Sequence, residues 1–326
     1  MLVKNTQKST VFVGDAIPAL NGELALRIAR LIGSEEKQVT AIPRVTLHQR
    51  TAPTAACHVT YEPCVIVVPR GRKEVQIGAE TLTYDSSRYL LTSIDMPAVT
   101  RVADASEAEP CLAISLKFDI GIVREFLSRE EFYRTEAPPD SPALSTVPVT
   151  ADFLGAWCRM LDLLANPSDI PFLSPLIERE IMYRVLRGPE GARLRAIATL
   201  GDPSHRTARA IAWIKGNYGK PLRVKELADV AGMAVTTLHH HFRALTAMSP
   251  LQYQKQIRLQ AARARMLADD VDAATVAFEV GYESASQFNR EYSRLFGQPP
   301  IRDVRKLRLP NTPHLDSAIQ SNQAPQ

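Results

Sequence analysis

One supersecondary unit is written twice between residues 205 and 308, and no other feature of the chain restricts its fold as much. Leu238-His239-His240-His241-Phe242-Arg243-Ala244-Leu245 aligns with Phe288-Asn289-Arg290-Glu291-Tyr292-Ser293-Arg294-Leu295 at an offset of 50. Apolar residues fall on apolar residues at helical spacing, and the register still holds where Ser249-Pro250 meets Pro299-Pro300. Upstream, Leu227-Ala228 with Gly232 aligns with Val276-Ala277 and Gly281 at an offset of 49, so the second turn is one residue longer. A short helix, a turn holding glycine and a second amphipathic helix make a helix-turn-helix. Two copies on one chain predict a molecule that reads two stretches of DNA.

Charge supports this assignment. Residues 204–308 hold 17 of the 39 Lys+Arg but only 9 of the 35 Asp+Glu, a balance of +8; the rest of the chain stands at −4. A basic domain on an otherwise acidic chain is the footprint of a polyanion binder. The 326 residues suffice for two cores, and no run of 18 apolar residues suggests a membrane span. Met1-Leu2-Val3-Lys4-Asn5 lacks a signal peptide's apolar stretch, so the expected location is cytoplasmic, associated with the nucleoid.

On a helix starting near Val235, residues Val235, Leu238, Phe242 and Leu245 share the core face, while Thr236, His240 and Arg243 point away with His239 at the edge. The second copy buries Ala285, Phe288, Tyr292 and Leu295. It presents Ser286, Asn289, Arg290 and Ser293, with Gln287 and Arg294 at the edge. Arg can grip guanine and Asn or Gln adenine bidentately. Between the units, residues 251–267 read as a helix of roughly 25 Å at about 1.5 Å per residue. That length can set two reading helices about one DNA turn, ~34 Å, apart.

Ahead of this region the periodicity is different. Asn21 is expected to cap a helix over 22–32 with Leu24, Ile28, Leu31 and Ile32 on one face. From Pro43 to Phe118 come short β-branched runs, expected as strands at 44–49, 56–61, 64–69, 73–77, 81–84, 88–93, 98–103 and 111–117, which read as a sandwich or barrel. Helical spacing returns at 119–133, 151–165, 174–187 and 190–199. Leu154, Trp157, Leu161, Ile177 and Ile181 form stripes there that one small barrel would not easily cover, so two chains are expected to pair through them, the alternative being that these helices pack on the barrel of their own chain. Gly201-Asp202-Pro203-Ser204 is the expected linker, and 309–326, polar and rich in Asn, Gln and Pro, the expected disordered tail.

The second half resembles the AraC-type transcription factors. The residues that carry the likeness include Leu227-Ala228, Gly232-Met233, Leu238 to Arg243, Ser249-Pro250, Gln252-Tyr253, Arg258-Leu259, Gly281-Tyr282, Phe288, Tyr292, Phe296-Gly297 and Pro300. The first half is similar to one branch of that family through Pro43-Arg44, Arg50, Ala52-Pro53-Thr54, Tyr61-Glu62-Pro63, Gly71-Arg72-Lys73, Tyr84-Asp85, Tyr89-Leu90 and Asp95-Met96-Pro97. The resemblance implies an α+β chain. Residues 1–42 are an N-terminal arm and helix, 43–118 a cupin-like β-barrel sensor, and 119–200 a helical linker and dimerisation region. Residues 205–308 are an all-α domain of two helix-turn-helix units joined by a linker helix. By likeness Thr236, His239 and His240 face bases from the first unit, and Ser286, Gln287, Asn289 and Arg290 from the second. Arg223, Arg243, Arg265 and Arg294 are the expected phosphate contacts, with Arg263 a further basic residue of the same helices. One departure is Ala234, where the family has Ser before the first reading helix; losing that cap costs about 0.5–2 kcal/mol unless Thr236 or Thr237 replaces it.

The expected partners are promoter DNA, an unidentified small-molecule effector, RNA polymerase and a second copy of the chain. No catalytic residue, cofactor or metal is expected. Three successive histidines on a helix point about 100° apart and do not converge on one ion, and His48 and His58 lack the spacing of a cupin metal centre. No nucleophile elbow, zinc-protease helix, P-loop or dinucleotide fingerprint occurs. Cys57, Cys64 and Cys111 read first as buried thiols, with sensing of electrophiles or oxidants as the alternative. The rival from another class is a small-molecule-binding or metabolic barrel protein with a vestigial DNA-binding domain.

Overall fold

The computed structural model describes residues 13–128, 142–269 and 271–308; the tail expected at 309–326 lies outside them. The first half is a ten-stranded antiparallel sheet curled on itself. Its strands are β1 (Lys37–Val39), β2 (Val45–Arg50), β3 (Cys57–Tyr61), β4 (Cys64–Arg70), β5 (Arg72–Ile77), β6 (Glu80–Asp85), β7 (Arg88–Thr92), β8 (Met96–Asp104), β9 (Cys111–Lys117) and β10 (Leu144–Pro148). They run in the order β1-β2-β9-β4-β7-β6-β5-β8-β3, with β10 also on β7.

Period-two alternation assigns the two faces. On β4 and β9, Val65, Val67, Leu112, Ile114 and Leu116 enter the core under the helices. Their neighbours Cys64, Ile66, Val68, Cys111 and Ala113 line the concave side. β4 is buried on both faces from Cys64 to Pro69, which is why its sequence is apolar up to Arg70.

Helices α1 (Val13–Ile32), α2 (Ile120–Leu127), α3 (Ala151–Asp162), α4 (Ile170–Arg187) and α5 (Gly191–Ala198) belong to this half. The first corrects the sequence reading. Asn21 is not a cap but lies inside α1, buried, with its amide donating to the Ser86 carbonyl at 2.8 Å. Pro18 lies inside α1, where it offers no N–H to the helical ladder. A second correction concerns the apolar stripes. Leu154, Trp157, Leu161 and Ile181 are buried within their own chain, and Ile177 packs against the same core. The convex face of the sheet is itself apolar and needs a cover, which α1 and α3 supply. The large hydrophobic residues that α4 leaves in solvent are Phe172, Leu173, Leu176 and Tyr183.

The second half is α6 (Pro203–Gly216), α7 (Val224–Ala231), α8 (Val235–Thr246), α9 (Pro250–Ala268), α10 (Ala273–Glu279), α11 (Ala285–Phe296) and α12 (Pro300–Leu307). Its two units are buried differently. Phe288, Tyr292, Val276, Ala277 and Met266 form a core of their own. Leu238, Phe242, Leu245 and Tyr253 instead share one apolar cluster with the concave face of the sheet. The first unit is thus packed onto the barrel.

Candidate nucleic-acid interface

Each reading helix is aimed by its turn. α7 ends at Gly232, φ 66°, whose N–H bonds Asp229 O while Met233 N–H bonds Ala228 O. The same two bonds recur 49 residues on, from Gly281 to Phe278 and from Tyr282 to Ala277, with Gly281 at φ 90°. The helices themselves start at Val235 and Ala285, so the extra residue lies between glycine and helix. Ser284 caps α11 by accepting from the Gln287 N–H, whereas Ala234 offers α8 no side-chain cap.

Phe242 and Phe288, the hubs of the two units, are fully buried. Val235 corrects its sequence placement: at 39% exposure it precedes the core contact rather than making it. On α8, Thr236, His239, His240 and Arg243 are exposed. His239, His240 and Arg243 line an open groove of about 480 Å³ together with Ala244 and Ser249. His241 is half-buried and meets the His240 ring edge-on at 5.3 Å. On α11, Ser286, Gln287, Asn289, Arg290 and Arg294 are exposed and Ser293 is half-buried. Gln287 reaches back to Glu291 at 3.4 Å, and Glu291 also takes Lys255 at 3.0 Å and the Tyr282 hydroxyl at 2.9 Å.

The arginines separate by environment. Arg223 is exposed beside Glu226 at 3.1 Å, and Arg265 is matched within its own unit by Asp269 and Glu279. Arg263 is structural: it grips both oxygens of buried Asp303 at 2.7 and 2.8 Å, stacks over Phe296 at 4.3 Å, and leaves Asp303 to accept from Tyr292 Oη at 2.7 Å. Such a pair needs a partner once buried, which the linear sequence does not show.

Sequence reasoning missed the seam between the halves. α9, whose start is closed by a Ser249–Gln252 capping box, runs along the outer edge of β3. Gln260 donates to the Val59 carbonyl at 3.0 Å and accepts from the Thr60 hydroxyl. Tyr253 Oη donates to Asp95 O at 2.8 Å. Lys215 from α6 sits between Asp95 at 2.6 Å and Glu62 at 3.4 Å, and Glu62 also holds Lys117. Burial pushes the Asp95 carboxyl up, against the pull of Lys215. At Glu62 burial acts the same way, but Lys117 and Lys215 outweigh it and hold the carboxyl below its ordinary value. Ala143 N–H bonds Leu245 O at 3.1 Å, and His58 meets the Phe296 ring edge-on at 5.4 Å. A cavity of about 330 Å³ lies at this seam, its lining including Arg50, Lys73 and Arg101 from the barrel and Arg263, Asp303 and Lys306 from the second unit. The only signal available in sequence was that Glu62 and Asp95 fall in segments carrying the family likeness.

Two barrel-side thiols are kept protonated. Burial pushes Cys64 up to about 12 and Cys158 up to about 11, which suits packing rather than nucleophilic chemistry. No helix among the described residues is long and apolar enough to cross a membrane.

Residues 41–193 match the family model of the AraC-type transcriptional regulator N-terminus, and residues 227–306 match a helix-turn-helix domain. The transcriptional activator RhaS of Yersinia pestis (strain Pestoides F) is 30% identical over 104 residues, 32% of this chain and 38% of that one. RhaS of Pectobacterium atrosepticum is 28% identical over 110 residues, 33% and 39% of the two chains. The match thus spans well under half of these relatives. Among solved structures, an apo ToxT variant from Vibrio cholerae superposes with a TM-score of 0.55 at 9% identity over 80% of this chain and 97% of that one. ToxT bound to an unsaturated fatty acid gives 0.50 at 10% identity over 80% and 94%. At such identities the likeness is one of fold. With the sensor and helix-turn-helix models matched in tandem along it, this chain belongs to the AraC-type transcriptional regulators.

Proposed function

We propose that the chain is a sequence-specific DNA-binding transcriptional regulator rather than an enzyme, acting in the cytoplasm on the nucleoid. In this reading α8 and α11 enter successive major grooves of a promoter. The base-facing set is Thr236, His239 and His240 with Ser286, Gln287, Asn289 and Arg290, and Arg223, Arg243, Arg265 and Arg294 meet phosphates. One observation carries the proposal. Two helices launched by the same glycine-turn hydrogen bonds bury their aromatic hubs fully and leave their hydrogen-bonding faces in solvent.

The N-terminal half senses a small molecule. The seam cavity favours an effector that touches the barrel and the second unit together, since its lining comes from both. ToxT, on the same fold, has been crystallised with an unsaturated fatty acid, which supports a small-molecule effector here. A second copy of the chain and RNA polymerase complete the expected partners.

Footprinting on the DNA flanking the protein's own gene, at two salt concentrations, tests the reading. A regulator protects one site over competitor DNA and loses affinity with a log–log salt slope of about −0.9 per phosphate contacted. A barrel protein with a vestigial helix-turn-helix domain protects nothing.

A further inference from the structure

Behind the convex face of the sheet, away from the helices that read DNA, a cavity of about 200 Å³ opens between the β1–β2 turn, the end of β9 and helices α2, α3 and α4. Its walls are mostly apolar: Ile42, Leu116, Ile122 and Met160. Its polar lining is Arg44, Ser174, Arg179 and Glu178, and Glu178 is buried, at 6% exposure. One oxygen, Oε2, takes the Arg44 guanidinium at 2.7 Å. The other, Oε1, is buried with no hydrogen-bond partner. A carboxylate oxygen left bare in an apolar wall is costly, because its lost hydration is not replaced.

Arg44 is delivered to this position by its backbone. It is one of two non-glycine residues at positive φ among the described residues, at 66°, a conformation that costs an L-residue with a Cβ on the order of 1 kcal/mol or more. The turn is held by Thr40, whose N–H and hydroxyl both bond Val45 O, at 3.2 and 3.1 Å, and by Lys117 N–H on Arg44 O at 3.1 Å. Nothing in this turn requires an arginine except its reach to Glu178.

The charges around the cavity select the ligand. Arg44 and Arg179 line it with Glu178, and Arg179 is engaged by Glu125. An anion would face the bare Glu178 oxygen, and an ammonium would sit beside the Arg44 guanidinium. A neutral donor meets neither objection. A cavity of about 150 Å³ is known to hold benzene, so this one suits a single ring with one substituent.

We propose that this cavity is a binding site for a compact, neutral, hydroxyl-bearing aromatic molecule of phenol size, whose hydroxyl donates to Glu178 Oε1 while its ring packs on Ile42, Leu116, Ile122 and Met160. The site is distinct from the seam cavity, and it stands whether or not the chain reads DNA.

Calorimetric titration of the full chain with phenol, toluene and benzoate tests it without any DNA readout. Phenol should bind at least tenfold tighter than toluene, the margin of a hydrogen bond to a charged acceptor, and benzoate should not bind. Glu178→Leu should remove the preference for phenol over toluene. Ile122→Trp, at a half-buried wall position on α2, should fill the cavity and abolish binding of both, and it decides the matter if Glu178→Leu fails to fold. Equal affinity for phenol and toluene in the natural protein, no binding of phenol, or phenol binding unchanged by Ile122→Trp would each overturn the site.

Discussion

Arg290 and Arg263 carry the same charge on neighbouring elements, and burial separates their work. Arg263 is neutralised by Asp303 and roofed by Phe296, while Arg290 stands exposed on the face of α11. Arg290→Ala should therefore cost about 1–3 kcal/mol on the preferred site and relax selectivity at one base pair. Equal losses on preferred and random DNA in a gel shift would place it on phosphate instead. His58 makes a pH prediction at the same scale. Burial, then the nearby Arg263, hold its imidazole below the ordinary value of 6.5. A base whose folded value is depressed contributes stability that is complete above the unfolded value and is lost as pH falls through the folded one. Melting temperature should thus drop below pH 6.5, and His58→Gln should flatten that drop. An identical acid profile in the variant would refute the assignment.

At the scale of elements, the two turns look alike in sequence but differ in tolerance. A Cβ on Gly232 meets nothing within 4 Å, so Gly232→Ala carries only the cost of positive φ, about 1 kcal/mol. A Cβ on Gly281 would lie 2.0 Å from the Gly219 carbonyl oxygen. Gly281→Ala should cost several times more, read as a shift in urea midpoint, and similar shifts for both would mean the backbones separate easily there. This contrast marks what sequence could and could not show. The reading helices were legible because their period of 3.6 puts Leu238, Phe242 and Leu245 on one face by local geometry alone. β1 has only three residues, too few for alternation to register, and β10 is defined by its pairing to β7 far away in the chain. The start of α1 was misplaced because Asn21 looks like a cap until Ser86 is brought to it. Gln260, a polar residue on an amphipathic helix, gives no sign in sequence that it is buried against β3.

For the whole molecule, the question is how a barrel can bias the spacing of two reading helices. α9 joins them, and the barrel holds α9 at Tyr253 and Gln260 and α6 at Lys215. Gln260→Ala would leave the Val59 carbonyl and the Thr60 hydroxyl buried without that partner, at a cost of about 1–3 kcal/mol. If the seam constrains the readers, this change should alter DNA affinity although Gln260 is buried away from solvent; loss of stability with unchanged affinity would make the seam merely structural. A second copy of the chain would extend the same logic. Because the stripes of α3 are consumed internally, such a pairing would have to use Phe172, Leu173 and Leu176, which are exposed on α4. Two chains would place four reading helices on DNA and raise avidity through effective concentration without new contacts. Leu176→Asp, at a side chain 61% exposed, should spare the fold and halve the mass seen by light scattering at micromolar concentration. A natural protein that is already monomeric there, or a variant that stays dimeric, would remove α4 from the assembly and leave the seam as the route from barrel to DNA.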